Sequence, residues 1–456
     1  MLTRSKALRT LRRAMFPIVA FAIVWLGAVS VSADGPLYTV RQRFGVCVVR
    51  SYGGIPNFPG ELEDYAGADT LGFGWYSDWW TRENPAQPNG IEYAQLINTR
   101  SWPPNWTTLE KQIRANPEAL WIIGNEPETR GQGQHTPAEY AARYHDFYYF
   151  IKSIAPNART AIGGVVMPTP IRLQWLELVM SEYEALYDEP MPIETWNIHM
   201  QILQEKRNDW GCGIPYGLDD IDEGRLYEIA DNVSVTAFQQ LIEEFCQWLV
   251  DHGQRNKPMI ISEYGVLFPE YYFAGGQQAV LNFMLGTFDY MLNAQDPALG
   301  YAADENRLVQ RWMWFSLNFP TDMIQPEGAF GGQWYDYHHP DQLTAYGVAF
   351  RDYVAPLVNT PTPTPTLVHL RFPLVNKRYS PPTAIPTATR TPTITRTPTR
   401  TLTPTCTVTV KPTSTATTTP TVTATYTPTP SSTPTVTVEA TLPTATPTTD
   451  LTLIPT

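Results

Sequence analysis

Short apolar runs alternate with amphipathic patterns through the middle of this 456-residue chain, and this alternation limits the possible folds most strongly. The eight runs are residues 44–49, 70–76, 93–98, 119–125, 160–166, 194–200, 258–265 and 311–318. Helical patterns cover residues 108–117, 136–156, 173–186, 235–252, 277–293 and 341–354. Strands that alternate with helices form parallel sheets, so the pattern predicts an α/β fold, a (β/α)8 TIM barrel over residues 34–358.

A doubly wound sheet is the alternative fold for the same alternation. Folds of that kind usually carry a glycine-rich turn for a nucleotide phosphate after an early strand. The early stretch GFGWYS, residues 72–77, lacks the third glycine of that turn. The barrel is therefore the favoured interpretation.

The first 33 residues have the pattern of a secretory signal. An apolar run, residues 16–29, precedes the small residues Val31, Ser32 and Ala33. Basic residues stand before the run: Arg4, Lys6, Arg9, Arg12 and Arg13. An uncleaved membrane anchor is the alternative, but the run is short for a bilayer span. We expect cleavage before Asp34 and a secreted or cell-surface protein.

Residues 359–456 form a Thr/Pro-rich tract of low complexity. Its aromatic residues are Phe372, Tyr379 and Tyr426, too few to build a core. We expect a disordered, extended stalk, with a short island at residues 367–380 and possible attachment to the cell envelope.

The charge is distributed unevenly. The whole chain carries −12, the first 33 residues carry +5, and residues 359–456 carry 7 basic and 2 acidic side chains, again +5. Residues 34–358 therefore carry −12 − 5 − 5 = −22. Such a surface repels nucleic acid, so we expect no nucleic-acid partner and a neutral or cationic substrate. We also expect a monomer.

Cysteines and histidines follow no metal-site spacing. The four cysteines are Cys47, Cys212, Cys246 and Cys406, and the only adjacent histidines are His338 and His339. We expect no metal and no cofactor. A disulfide between Cys212 and Cys246 remains open at this point, because exported proteins can form one.

Carboxylates stand where two runs end. Asn125, Glu126 and Pro127 follow the fourth run, and Glu263 lies near the end of the seventh. In a barrel, active residues lie at the carboxyl ends of the strands. The residues at these positions are Arg50, Tyr76, Asn125, Glu126, His199, Glu263, Tyr264 and Trp314.

Two carboxyl groups at one end of a barrel can hydrolyse a glycosidic bond. One group protonates the leaving oxygen, and the other attacks C1 or activates water. We expect Glu126 and Glu263 to have these roles, with carboxyl carbons roughly 5 Å apart, a distance typical of retaining enzymes. Asn125 can bind a sugar hydroxyl, and aromatic residues can stack on sugar rings. The expected substrate-binding residues are Asn125, Trp75, Tyr76, Trp79, His199, Tyr264 and Trp314.

These motifs resemble glycoside hydrolase clan A, and within it the alkali-sensitive-linkage-protein-like glycosyl hydrolases, which include endo-β-1,3-glucanases. The resemblance covers about residues 42–355 and rests on Trp75–Trp79, Asn125–Pro127, His199, Ser262–Tyr264 and Arg311–Phe315. It implies that Glu126 is the acid/base and Glu263 the nucleophile. Met200 and Gln201 replace two family aromatics, and residues 205–220 are an insertion.

The sequence thus predicts a secreted retaining glycoside hydrolase that acts on a polysaccharide or oligosaccharide by double displacement. The alternative is a non-catalytic carbohydrate-binding or structural cell-surface protein on a TIM-barrel scaffold. The two carboxylates favour the enzyme, because binding alone does not require both.

Overall fold

A computed structural model describes residues 36–51, 55–320 and 330–359. The expected signal peptide, the stalk and its island at residues 367–380 lie outside the described residues and stay predictions. No helix in the described ranges is long and apolar enough to cross a membrane.

Every predicted run contains a strand. The strands are β1 Phe44–Cys47, β2 Trp75–Ser77, β3 Glu92–Tyr93, β4 Gln95–Ile97, β5 Leu120–Asn125, β6 Arg159–Gly164, β7 Trp196–His199, β8 Met259–Gly265 and β9 Arg311–Phe315. Nearly all of their residues are buried, as expected for parallel strands covered on both faces.

The strands pair in parallel in a continuous order. One sheet runs β3-β2-β1-β9-β8-β7, and a second runs β4-β5-β6. Only Ala94 separates β3 from β4, and parallel bridges from Ala161 to Thr195 and from Val165 to Ile198 join β6 to β7. This mixed α/β order of pairing is consistent with the predicted barrel.

The six predicted helical patterns each contain a helix. The helices are α1 Val40–Arg43, α2 Trp106–Ala115, α3 Pro137–Ile154, α4 Pro170–Tyr187, α5 Val235–Asp251, α6 Gln277–Asn293 and α7 Ala345–Asn359. The predicted start of the last helix, Asp341, was wrong. A hairpin of β10 Tyr335–Asp336 and β11 His339–Leu343 occupies that place, and the Thr344 hydroxyl accepts a hydrogen bond from the Gly347 amide at the start of α7.

The first two strand connections depart from a regular (β/α)8 pattern. In the described residues, three short 3-10 helices take the place of α-helices there: Leu62–Asp64, Ala68–Thr70 and Pro88–Gly90. The Arg82 guanidinium ties this sector together through ion pairs with Glu61 and Asp78.

Side chains inside the ring of strands form one apolar cluster, and those between strands and helices form another. Trp75, Met313 and Phe315 belong to the inner cluster, whereas Trp312 and Trp314 belong to the outer one. Cys47, Cys212 and Cys246 are buried free thiols. The disulfide left open between Cys212 and Cys246 is therefore not formed in this structure.

We expect a chain of residues 34–359 to fold with the melting temperature of the full-length protein, because α7 completes the outer cluster. Phe350 in α7 stacks on Trp334 with ring centroids 3.8 Å apart and packs edge-on against Phe44. Removing a buried aromatic side chain costs about 3–5 kcal/mol. Thermal unfolding followed by circular dichroism checks the expectation.

A chain of residues 34–344 is the matched control, because it also lacks the Thr/Pro tract but loses α7. It should fail to unfold cooperatively. If residues 34–359 behave like this control, part of the tract belongs to the folded domain.

Candidate active site

The turn after β5 sets the first carboxylate in an unusual backbone conformation. Glu126 has a φ of 40°, a left-handed value that non-glycine residues rarely adopt, and Gly124 before it has a φ of 105°. The Glu126 carbonyl accepts hydrogen bonds from the amides of Thr129 and Gly133, which hold the turn. The strand thus ends at Asn125, because the chain bends sharply there and presents Glu126. Strain of this kind is concentrated at functional sites.

Glu126 and Glu263 line one cavity of about 610 Å³ at the carboxyl ends of β5 and β8. A carboxylate oxygen of each, together with a ring nitrogen of His199, lies within 4.8 Å of the others. Glu126 is 6% exposed, so little water screens the pair. This spacing is short enough for both groups to reach one substrate atom.

Two N–H groups hold the Glu263 carboxylate. The Trp79 indole donates to Oε2 at 2.8 Å, and the Gln201 amide donates to Oε1 at 2.9 Å. Burial raises the pKa of Glu263 above its ordinary value, and the Glu126 charge acts in the same direction. The charge of His199 and the two N–H donors oppose this rise by stabilising the ionised form.

His199 connects Glu126 to the strand that carries Glu263. Its Nδ1 lies 3.1 Å from Glu126 Oε1, and its Nε2 lies 3.1 Å from Ser262 Oγ. Burial lowers the pKa of His199, but the carboxylates of Glu263 and Glu126 outweigh burial, so the pKa is raised. A protonated imidazole donates a hydrogen bond to Glu126 and offsets part of the negative charge of the pair.

A second, fully buried charge cluster lies behind the Glu126 turn. Arg172 Nη1 pairs with Glu128 Oε1 at 2.7 Å, and its Nε lies 3.0 Å from Glu205 Oε1. Arg172 Nη2 also donates to the Gly213 carbonyl at 3.0 Å, inside the inserted segment. The cluster therefore ties the turn that carries Glu126 to the insertion. Burial raises the pKa of Glu128, and the Arg172 charge opposes that rise.

Three of the seven predicted substrate-binding residues, Asn125, Trp79 and His199, contact a carboxylate of the pair or line the cavity, and the other four do not face it. Asn125 and Trp79 line the cavity, and Asn125 Oδ1 is buried without a hydrogen-bond partner. Tyr264 and Trp314 are wrong as cleft residues: their rings pack edge-on against each other among the helices, 5.2 Å apart. Successive residues of a strand face opposite sides, so Tyr264 points away because Glu263 points in.

Trp75 and Tyr76 are also wrong as cleft residues. Trp75 begins β2 inside the barrel, where its indole N–H donates to the Arg43 carbonyl at 3.3 Å and the Arg311 guanidinium lies 4.2 Å from its ring. Arg311 begins β9, so this is the end of the barrel opposite the carboxylates. Tyr76 faces outward and donates to the Ala86 carbonyl at 2.7 Å.

Among the residues that contact the pair or line the cavity, the sequence did not indicate Gln201, Ser262 and Phe315. Gln201 donates a hydrogen bond to Glu263, the Ser262 hydroxyl contacts His199, and Phe315 lines the cavity. Strand parity was the available signal. Gln201 lies two residues after His199, so the two side chains share a face, whereas the sequence marked no neighbour of Phe315 as inward-facing.

Glu126, His199 and Glu263 are close enough to hold a metal ion. Their ligand atoms, however, already take part in hydrogen bonds with ring and amide N–H groups of the protein. An N–H donor that points at a carboxylate oxygen competes with a cation for that oxygen. The arrangement therefore fits proton transfer and covalent chemistry better than metal binding.

Comparisons with known proteins give distant structural similarity. No family profile and no curated protein matches the sequence. A GH128 (subgroup I) endo-β-1,3-glucanase from Amycolatopsis mediterranei, in complex with laminaripentaose, is 15% identical with a TM-score of 0.43 over 68% of this chain and 98% of that chain. A glucosidase from Croceicoccus marinus is 12% identical with a TM-score of 0.46 over 71% and 69%.

A GH128 (subgroup VII) oligosaccharide-binding protein from Trichoderma gamsii is also similar, at 11% identity and a TM-score of 0.40 over 71% of this chain and 97% of that chain. These similar structures thus include enzymes and a binding protein. At these TM-scores the likeness assigns no activity to this chain.

We expect Glu263→Gln to raise the free energy of unfolding at pH 7 by about 1 kcal/mol, as removal of an unfavourable buried charge does. The pKa of Glu263 is raised in the folded state, so its charge destabilises the fold at any pH above that value. The gain should shrink as the pH falls through the raised pKa, because the wild-type carboxyl group is then neutral. Urea unfolding at pH 7 and pH 4 measures both values.

Glu118→Gln is the control, because Glu118 is exposed on the surface. It should leave the free energy of unfolding unchanged at both pH values. A destabilised Glu263→Gln variant at pH 7 would contradict the electrostatic account of the site.

Proposed function

We propose that the protein is a retaining glycoside hydrolase in which Glu126 is the acid/base and Glu263 the nucleophile. The observation that carries this proposal is the pair of carboxylate oxygens within 4.8 Å of each other in one cavity. Retaining enzymes hold their two carboxyl groups about 5–5.5 Å apart, whereas inverting enzymes leave about 6.5–9.5 Å for a water molecule. The short spacing supports double displacement.

In the first step, Glu263 attacks C1 of the sugar while Glu126 gives its proton to the departing glycosidic oxygen. The C1–oxygen bond breaks, and an ester bond forms between C1 and the Glu263 carboxylate. The two N–H groups on Glu263, from Trp79 and Gln201, favour its ionised form before attack. Asn125 lines the cavity beside Glu126, so its side-chain amide can form a hydrogen bond with a sugar hydroxyl.

In the second step, Glu126 acts as a base. It removes a proton from water, which attacks C1 and releases Glu263, so the sugar leaves with its original anomeric configuration. His199 contacts Glu126 and acts as a positioning residue. The pKa of His199 is raised, so its imidazole carries a positive charge over a wider pH range, and this charge offsets part of the negative charge of the pair.

We also propose that the enzyme works outside the cell. The N-terminal signal pattern and the Thr/Pro tract support secretion and a possible attachment to the envelope through the tail. The charge of −22 on residues 34–358 favours a neutral or cationic carbohydrate substrate. The carboxylate pair favours an enzyme over a binding protein, which would not need both carboxylates.

The test is hydrolysis of a polysaccharide panel followed by proton NMR of the first product. We expect turnover of at least one of β-1,3-glucan, β-1,4-glucan, mannan, xylan and galactan, with the product first appearing in the anomeric form of the substrate. The chelator EDTA should leave the rate unchanged. Binding without turnover would favour the carbohydrate-binding alternative, and a first product of opposite configuration would exclude double displacement.

We expect the two glutamates to respond differently to replacement by alanine. Glu126→Ala should still form the glycosyl-enzyme from a dinitrophenyl glycoside, whose leaving group needs no proton, but should hydrolyse it slowly because the base is missing. Added azide should then restore turnover and give the glycosyl azide of retained configuration. Glu263→Ala should lose activity on every substrate, and azide should give at most the opposite anomer.

Release of dinitrophenol and NMR of the azide product measure these outcomes. Glu118→Ala, at an exposed position, is the control and should keep wild-type rates. Identical behaviour of the two active-site variants would show that the assigned roles are wrong, and full activity in both would place the site elsewhere.

A further inference from the structure

A second cavity of about 550 Å³ lies directly beside the catalytic cavity. Trp79, Leu96 and Asn98 line both. Trp79 donates its indole N–H to Glu263, so the wall between the two cavities is also a wall of the catalytic site. A chain molecule bound at the carboxylates can therefore continue past Trp79 into the second cavity, which we call the side groove.

The lining of the side groove is apolar or neutral and polar. None of the described residues that line it carries a charge, although residues 34–358 carry −22 in total. Amide and hydroxyl side chains of Asn98, Asn105, Thr108 and Gln112 stand beside the aromatic and aliphatic ones. Neutral hydrogen-bonding groups next to an apolar surface match the two sides of a sugar ring, whose C–H face is apolar and whose edge carries hydroxyls.

Trp80 is the exposed aromatic residue of this groove. Its side chain is 56% exposed, which is unusual for a tryptophan. Its backbone is nevertheless fixed, because the Trp80 carbonyl accepts hydrogen bonds from the Tyr93 hydroxyl at 2.7 Å and the Leu96 amide at 3.0 Å. The Arg50 guanidinium lies 5.7 Å from the ring centroid. The protein thus holds a large apolar ring at the surface, in a defined position beside the catalytic cavity.

We propose that the side groove binds further sugar units of the same neutral glycan chain whose scissile bond lies between Glu126 and Glu263, with Trp80 as the stacking platform. This inference rests on the proposed function and extends it: the substrate is a chain of several units, and it is cut at internal bonds. The groove and the catalytic cavity share the lining residues Trp79, Leu96 and Asn98, and this adjacency is the reason to assign this occupant. The uncharged lining of the side groove favours neutral sugar units there over a charged polymer.

The test compares long and short substrates in Trp80→Ala. The long ones are laminarihexaose, cellohexaose, xylohexaose and mannohexaose, and the short ones are the dinitrophenyl β-glucoside, β-xyloside and β-mannoside. For the hexasaccharide that the wild type cleaves best, we expect kcat/KM to fall about tenfold, the factor that corresponds to about 1.4 kcal/mol. The positions of the cleaved bonds should shift, and kcat/KM for the dinitrophenyl glycosides should be unchanged.

Two further variants separate stacking from a general disturbance. Trp80→Phe keeps a flat ring and should recover most of the activity on the hexasaccharide. Tyr149→Ala removes an aromatic residue of α3 that is 41% exposed, and it should match the wild type on every substrate.

The outcomes distinguish this inference from the proposed function. If the wild type cleaves dinitrophenyl glycosides but no hexasaccharide, or if Trp80→Ala loses nothing or loses equally on both, the side groove is not a sugar site and the proposed function stands. If the wild type cleaves neither class and also fails on the polysaccharide panel, the proposed function itself is wrong.

Discussion

Repulsion between two carboxylates at close range, one buried and one half-buried, is the constraint around which the site is built. Oxygens of Glu126 and Glu263 lie within 4.8 Å of each other. At such distances the repulsion between two like charges is strong, so the surroundings must offset it. The two N–H donors on Glu263 and the imidazole of His199 on Glu126 are the groups that do so. The close pair thus explains why both oxygens of Glu263 and Oε1 of Glu126 face specific partners.

The backbone around Glu126 is held as firmly as its side chain. A left-handed glutamate at the end of a strand would relax to a more common conformation without support. Hydrogen bonds to the Glu126 carbonyl fix the turn, and the buried ion pair of Glu128 with Arg172 fixes the segment that follows it. Removing one partner of a buried ion pair costs about 3–5 kcal/mol, so the turn cannot shift at small cost.

The sequence was sufficient for the positions of the strands and for placing the two glutamates at one rim of the sheet, because both depend on local patterns. Each apolar run could be read directly, and residues at strand ends converge at one rim of a parallel sheet. The direction in which a strand residue points could not be read in the same way. Strands buried on both faces show no alternation of polar and apolar residues, so nothing distinguished Trp314 from Phe315 as the inward residue.

Partners that come together from distant segments were also beyond local patterns. The bond from Trp79 to Glu263 joins residues 184 positions apart, and its geometry depends on how the whole ring of strands closes. The helix-poor connections from β1 to β3 were missed for a similar reason. The sequence between the first three runs carries no helical pattern. Only the structure shows that short 3-10 helices take the place of α-helices there, tied together by the ion pairs of Arg82.

The burial of Arg172 has a consequence for the conditions under which the site keeps its shape. Dissolved salt screens charges at the protein surface within a Debye length, about 8 Å at physiological ionic strength, but it acts much less on buried pairs. Arg172, Glu128 and Glu205 all have side chains with no exposed surface. The link between the Glu126 turn and the inserted segment is therefore insulated from the ionic strength of the medium, in fresh water as in brine.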